Sequence, residues 1–207
     1  MDRLIEQIEH LKHSSSAKII EKRLISFKNN GKQSEDHLFS ELCYCILTAN
    51  CSAESCLKIQ QDIHLSFYQH STDSLSKKLR SHHYRFPNTR AHYIISAKEY
   101  KQMIGSILTH YGHLQRREWL VKYIKGLGYK EASHFLRNTG FFDYAILDRH
   151  ILSILASHKK IKIPKTLTKK TYLSIENTMK TIAKQTQLSL GSLDLYLWYM
   201  STGKILK

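Results

Sequence analysis

With 207 residues, 42% of them hydrophobic, the chain can bury a core of its own as one domain or two small lobes. Its 32 Lys and Arg against 17 Asp and Glu leave a formal charge of +15, a balance that favours a polyanionic partner over mere solubility, because neutralised phosphates release counterions. No apolar run reaches the ~20 residues of a membrane span, and Met1-Asp2-Arg3-Leu4-Ile5-Glu6 lacks a secretory h-region, so a protein of the cytoplasm or nucleoid, with no membrane partner, is expected.

Only Pro87 and Pro164 interrupt the chain and no stretch alternates with period two, which predicts an all-α architecture. Leu4, Ile5, Ile8 and Leu11 form one amphipathic set; Ile19, Ile20, Leu24 and Phe27 form a second after Ser14-Ser15-Ser16, stopped by Asn29-Asn30-Gly31. Leu38, Phe39, Leu42, Cys43 and Ile46 follow at helical spacing as far as Asn50. Ser52 caps the next helix, which carries Cys56, Ile59, Ile63 and Phe67. Asn50 therefore ends a helix, where a turn or capping role is the plain reading. The four cysteines, Cys43, Cys45, Cys51 and Cys56, crowd into fourteen residues without the spacing of paired zinc ligands. They read as buried thiols in a reducing compartment, and no metal is expected.

A polar stretch through Ser71-Thr72-Asp73-Ser74 leads to a basic segment from Arg80 to Arg90, read as a loop because Pro87 keeps Phe86 out of helical geometry. Basic residues interleaved with Tyr84 and Phe86 suit base stacking and phosphate contacts; a solvated loop with a tucked Phe is the alternative. A helix from Asn88 or Thr89 through Ile94, Ile95 and Tyr100 follows.

A helix-hairpin-helix occupies about residues 117–139. Trp119, Leu120, Tyr123 and Ile124 recur at helical spacing, Lys125-Gly126-Leu127-Gly128-Tyr129 breaks the pattern, and Ala132, Phe135 and Leu136 restart it. Gly126 and Gly128 permit positive φ and close approach to another molecule, and the free N–H groups opening the second helix suit a DNA phosphate. Lys130 stands at the mouth of that helix. Asp148, eighteen positions on, opens or just precedes a helix marked by Ala145, Ile146, Ile151, Leu152 and Leu155. Beyond a basic connection, Thr168 caps a helix with Tyr172, Ile175, Met179 and Ile182, and a last helix carries Leu190, Leu193, Leu197 and Trp198. Without repeats or long linkers, residues 1–207 read as one unit of two discontinuous helical lobes sharing a cleft.

Gly126-Leu127-Gly128-Tyr129-Lys130 followed by Asp148-Arg149-His150 resembles the signature of the helix-hairpin-helix-Gly/Pro-Asp superfamily of DNA glycosylases. With Cys45-Ile46-Leu47-Thr48-Ala49-Asn50, the segment Tyr84 to Ala91, Trp198 and the final Lys207, the whole chain is similar to the short, type-two branch of 8-oxoguanine DNA glycosylase/AP lyases. The resemblance implies two lobes flanking a catalytic cleft and a bifunctional base-excision-repair enzyme acting on double-stranded DNA that contains 8-oxoguanine. It implies Lys130 and Asp148 as the catalytic pair and Asn50 as the group entering the gap left by the extruded nucleotide. It also implies His150 beside a phosphate, Lys207 in telling 8-oxoguanine from guanine, and Phe86 opposite Trp198 around the base. Ordinary capping or core roles remain open for Asn50, His150 and Trp198. No cofactor is expected, although a monovalent cation could sit on hairpin carbonyls as in similar hairpins, and a monomer is expected.

The chemistry follows from the residue types. A helix N-terminus and burial both disfavour an ammonium, so Lys130 can supply a free amine to C1′, and a Schiff base leads to β-elimination where a water nucleophile would not. Asp148 steadies the cationic sugar or takes a proton. His134, one turn beyond Lys130, faces the same way and either tunes the site or serves the core. An oxidised-pyrimidine glycosylase/lyase and a non-catalytic hairpin DNA-binding protein are the alternatives.

Overall fold

A computed structural model describes residues 2–207, in which the apolar periodicity becomes twelve α-helices and two 3₁₀ helices, with no strand among the described residues. The helices are α1 (Arg3–Lys12), α2 (Ser15–Asn30), α3 (Glu35–Thr48), α4 (Ala53–Ile63), α5 (Thr72–Ser81), α6 (Pro87–Ala97), α7 (Ile104–His110), α8 (His113–Tyr123), α9 (Tyr129–Asn138), α10 (Arg149–Ser157), α11 (Lys169–Gln185) and α12 (Leu190–Thr202). Short polar side chains fix many of the starts: Asp2, Ser52, Ser71, Asp148, Thr168 and Ser189 each accept an otherwise orphaned N–H of the first turn.

Several boundaries differ from the sequence reading for local reasons. Ser71-Thr72-Asp73-Ser74 opens α5, because Ser71 and Ser74 cap each other's backbone N–H. The helix bearing Cys56 ends at Ile63, where His64 takes φ +51° and the chain tightens into the 3₁₀ turn His64–Gln69. Pro87 starts α6, which gives way at Ala97 to a second 3₁₀ turn, Lys98–Met103, and then to α7. The hairpin's first helix begins at His113, earlier than expected. Ala145 and Ile146 lie in a buried, non-helical lead into α10. Gly31 stops α2 with a right-handed φ of −64°; its glycine is required because a Cβ would lie 2.1 Å from the Thr139 backbone oxygen.

The helix α3 is buried from Leu38 to Thr48 on every face and forms the axis of the larger core, against which Ile59, Leu79, Ile94, Leu120 and Phe135 pack. A second core joins α1 to α10, α11 and α12 through Leu4, Ile8, Ile151, Leu155, Met179 and Leu197. Phe27 and Ile20 of α2 seal against Leu195 and Tyr196 of α12. The N-terminal helices thus complete the C-terminal core, each large aliphatic contributing about 1.5–3 kcal/mol. Two buried ion pairs tie the cores together: Arg117 of α8 to Glu176 of α11, and Arg137 of α9 to Asp194 of α12. Among the described residues no helix is long and apolar enough to cross a membrane.

Candidate active site

The hairpin is shaped by one glycine more than by two. Gly126 adopts φ +88°, and a Cβ there would stand 2.5 Å from the Tyr93 ring, so both backbone and space demand glycine. Gly128 is extended, at φ −91° and ψ −172°, which corrects the expectation that both glycines supply positive φ. Its N–H, one of those expected to face a phosphate, donates to Glu131 Oε2 at 3.1 Å and closes the start of α9.

Lys130 is the second residue of α9, with its side chain about a quarter exposed. Its ion-pair partner is Glu131 Oε1 at 3.5 Å, and not Asp148. Asp148 is the N-cap of α10: Oδ1 accepts from the Ile151 N–H at 2.9 Å, an arrangement that pins the carboxylate and leaves Oδ2 outside the cap. Both residues open onto one cleft of about 820 Å³. Asp194 lines the same cleft; burial pushes its carboxyl up to about 7 against the pull of Arg137, with the charge of Asp148 adding to the push.

Lys207 lines the cleft and joins it to a hydrogen-bonded polar cluster. Lys207 Nζ reaches Glu41 Oε2 at 2.5 Å and the amide oxygen of Gln60, and lies 4.3 Å from the centre of the Tyr44 ring. Tyr44 Oη donates to the Lys207 backbone oxygen at 3.1 Å, and Asn138 donates to Glu41 Oε1 at 2.7 Å. Trp198 also lines the cleft and is partly exposed, with the His150 ring edge-on at 6.0 Å and His150 Nδ1 3.0 Å from Ser201 Oγ. Asn50 is exposed at the cleft with φ +63°, a left-handed conformation that asparagine tolerates better than most residues.

Phe86 precedes α6 as the N-cap residue and packs, partly buried, on the larger core, with the Arg85 guanidinium 4.9 Å and that of Arg90 6.0 Å from its ring centre. Arg85, not Phe86, lines the cleft from this loop. The fixed φ of Pro87 turns the chain into α6 at that point. Glu131, Glu41, Tyr44, Gln60, Arg137 and Asp194 join these residues at or beside the cleft without having been expected there. Of these only Glu131 carried a local signal, the glycine–carboxylate spacing of a reciprocal helix cap.

Among proteins of known sequence, the family model described as 8-oxoguanine DNA glycosylase matches residues 20–188. The chain belongs to the 8-oxoguanine DNA glycosylase family. It is 46% identical over 205 residues to the 8-oxoguanine DNA glycosylase/AP lyase of Methanocaldococcus jannaschii, with 99% of each chain covered. The crystal structure of that archaeal glycosylase/lyase with a 15mer DNA containing 8-oxoguanine superposes with a TM-score of 0.96, covering 99% of this chain and 100% of that one at 45% identity. The Thermotoga maritima 8-oxoguanine DNA glycosylase structure gives 0.94 at 39% identity, with 99% of both chains covered. The all-helical glycosylase fold of this family member is therefore shared along its whole length. Among its described residues no group of three or more His, Cys, Asp or Glu side chains is placed to hold a metal ion.

Proposed function

We propose that this family member removes 8-oxoguanine from double-stranded DNA and then cuts the strand through a Schiff base on Lys130. The observation that carries the reading is the placement of Lys130, at the start of α9, on the same cleft as Asp148. In the first step the Lys130 amine bonds to C1′ as the C1′–N9 bond breaks, and the departing electron pair leaves with the base, which takes up a proton. Asp148, held by its own helix cap, faces the positive charge that develops on the sugar. The resulting imine acidifies the C2′ hydrogen; its removal expels the 3′ phosphate as the strand-cleaving β-elimination.

Discrimination between 8-oxoguanine and guanine turns on N7, which carries a hydrogen only in the oxidised base. A fixed acceptor is satisfied by that hydrogen and confronts a lone pair in guanine, a difference of about 1–3 kcal/mol when buried. The Lys207 backbone oxygen, positioned by the Tyr44 hydroxyl, supplies such an acceptor. Borohydride reduction in the presence of duplex DNA with one 8-oxoguanine tests the scheme. The wild-type chain gives a covalent protein–DNA adduct and Lys130→Gln gives none; an adduct that persists in Lys130→Gln overturns the assignment of the nucleophile.

A further inference from the structure

His134 lies on α9 one turn beyond Lys130, lines the cleft, and is only 6% exposed. Both of its ring nitrogens are buried with no hydrogen-bond partner, whereas a histidine that merely fills a core normally satisfies at least one of them. Its ring is held edge-on to Tyr44 at 5.6 Å between centroids. Burial drives its pKa well below the usual histidine value, and the charges of Arg137, Lys130 and Lys207 act in the same direction. The Lys207 backbone favours the imidazolium slightly, yet its oxygen lies outside hydrogen-bonding geometry with the ring. The side chain facing the cleft is thus a neutral imidazole, with one N–H to donate and one lone pair to accept.

We propose that His134 reads the extruded purine directly, donating its ring N–H to one of the two carbonyl oxygens, O6 or O8, that flank N7 of 8-oxoguanine. This rests on the reading of the cleft as an 8-oxoguanine site. The complementarity runs along a single edge of the base. The Lys207 backbone oxygen, an acceptor close to the His134 ring, matches the N7 hydrogen. The groups on either side of that hydrogen are both acceptors, so the protein group beside Lys207 must donate, and His134 is a buried donor there whose ring nitrogens make no hydrogen bond. Its second nitrogen is left as an acceptor for a water or an adjoining N–H.

The test separates base recognition from sugar chemistry, because a preformed abasic site has no base to read. Under single-turnover conditions, His134→Leu is expected to slow excision from an 8-oxoguanine duplex about 10- to 100-fold, the loss of one buried hydrogen bond, while cleavage of an abasic duplex changes less than about threefold. His134→Gln and His134→Asn set an amide N–H near the positions of Nε2 and Nδ1, and one of them recovers excision relative to His134→Leu. Parallel loss of both activities in His134→Leu, undiminished excision in it, or no recovery in either amide variant overturns the proposal. Absence of 8-oxoguanine excision by the wild-type chain would instead refute the function proposed above.

Discussion

Replacing Glu176 by leucine probes the contact that holds the hairpin against the C-terminal core. Glu176 is 1% exposed and binds Arg117 through both oxygens, at 2.5 and 2.9 Å, while its Oε2 also accepts the Ala145 N–H at 3.1 Å. Burial alone would lower the pKa of Arg117, but the hydrogen bond and charge of Glu176 outweigh it and hold the guanidinium firmly charged. Removing the carboxylate strands that charge, at about 3–5 kcal/mol. The Ala145 N–H loses its partner as well, for about 1–3 kcal/mol. The rings of Tyr129, Tyr144 and Tyr172, with centres 4.9, 5.3 and 5.6 Å from the guanidinium carbon, offset part of the loss, as does the added apolar side chain, by about 1–3 kcal/mol together. The net destabilisation is about 4 kcal/mol, and at roughly 2–4 °C per kcal/mol for a chain of this size Tm falls by about 8–16 °C.

The same variant acts on the site. Ala145 begins the segment that delivers Asp148, and Tyr172 Oη holds it from the other side, donating to the Ala145 oxygen at 2.6 Å and accepting from the Leu147 N–H at 3.3 Å. With the Ala145 N–H released, Asp148 drifts and 8-oxoguanine excision per folded molecule drops. Urea denaturation and single-turnover excision on the folded protein measure the two effects. Arg117→Met with Glu176→Leu should recover most of the stability, since an apolar replacement of an entire buried pair is often near neutral. A loss below about 1 kcal/mol in Glu176→Leu, or a double variant no better than the single, refutes the reasoning.

Gly126→Ala combines a left-handed backbone, worth about 1–2 kcal/mol, with overlap on Tyr93, and should lower stability and DNA affinity together. Gly128→Ala should cost far less, because its φ is ordinary and its nearest neighbour is the adjustable end of Glu131; equal thermal melts for the two would contradict this account. Cys51, which lines the cleft beside Asn50, has its thiol lowered to about 7, chiefly by a hydrogen bond from Cys56, opposed by burial and assisted by the Ser52 backbone and Arg90. Its alkylation by iodoacetamide should therefore rise with pH through a midpoint near 7, as the thiolate forms, and Cys56→Ala should move that midpoint up. Cys43 and Cys45, pushed up by burial, should stay unlabelled in the folded protein. A midpoint near the ordinary thiol value of about 8.5 would count against the Cys51 environment.

What could be read without coordinates was local. Apolar spacing of three and four identifies the buried stripes of α1, α2, α9 and α11, and the Gly-Leu-Gly-Tyr-Lys run locates both the turn and the lysine that opens α9. Those signals work because helix periodicity, capping and turn conformation depend on neighbours within a few residues. The missed elements, α5 and α7, are a short amphipathic helix behind a serine cap and a single two-turn helix after a 3₁₀ bend, where competing polar residues mask the period. Only the tertiary structure decides that Glu41, Asn138 and Lys207 share one hydrogen-bonded cluster although 97 and 166 positions separate Glu41 from its partners. It also decides that Phe86 packs on the core while Arg85 faces the cleft, and that Glu131, not Asp148, touches Lys130. Such pairings are set by how α3, α9 and α12 converge, and a side chain's partner across that convergence leaves no mark on the residues beside it in the chain.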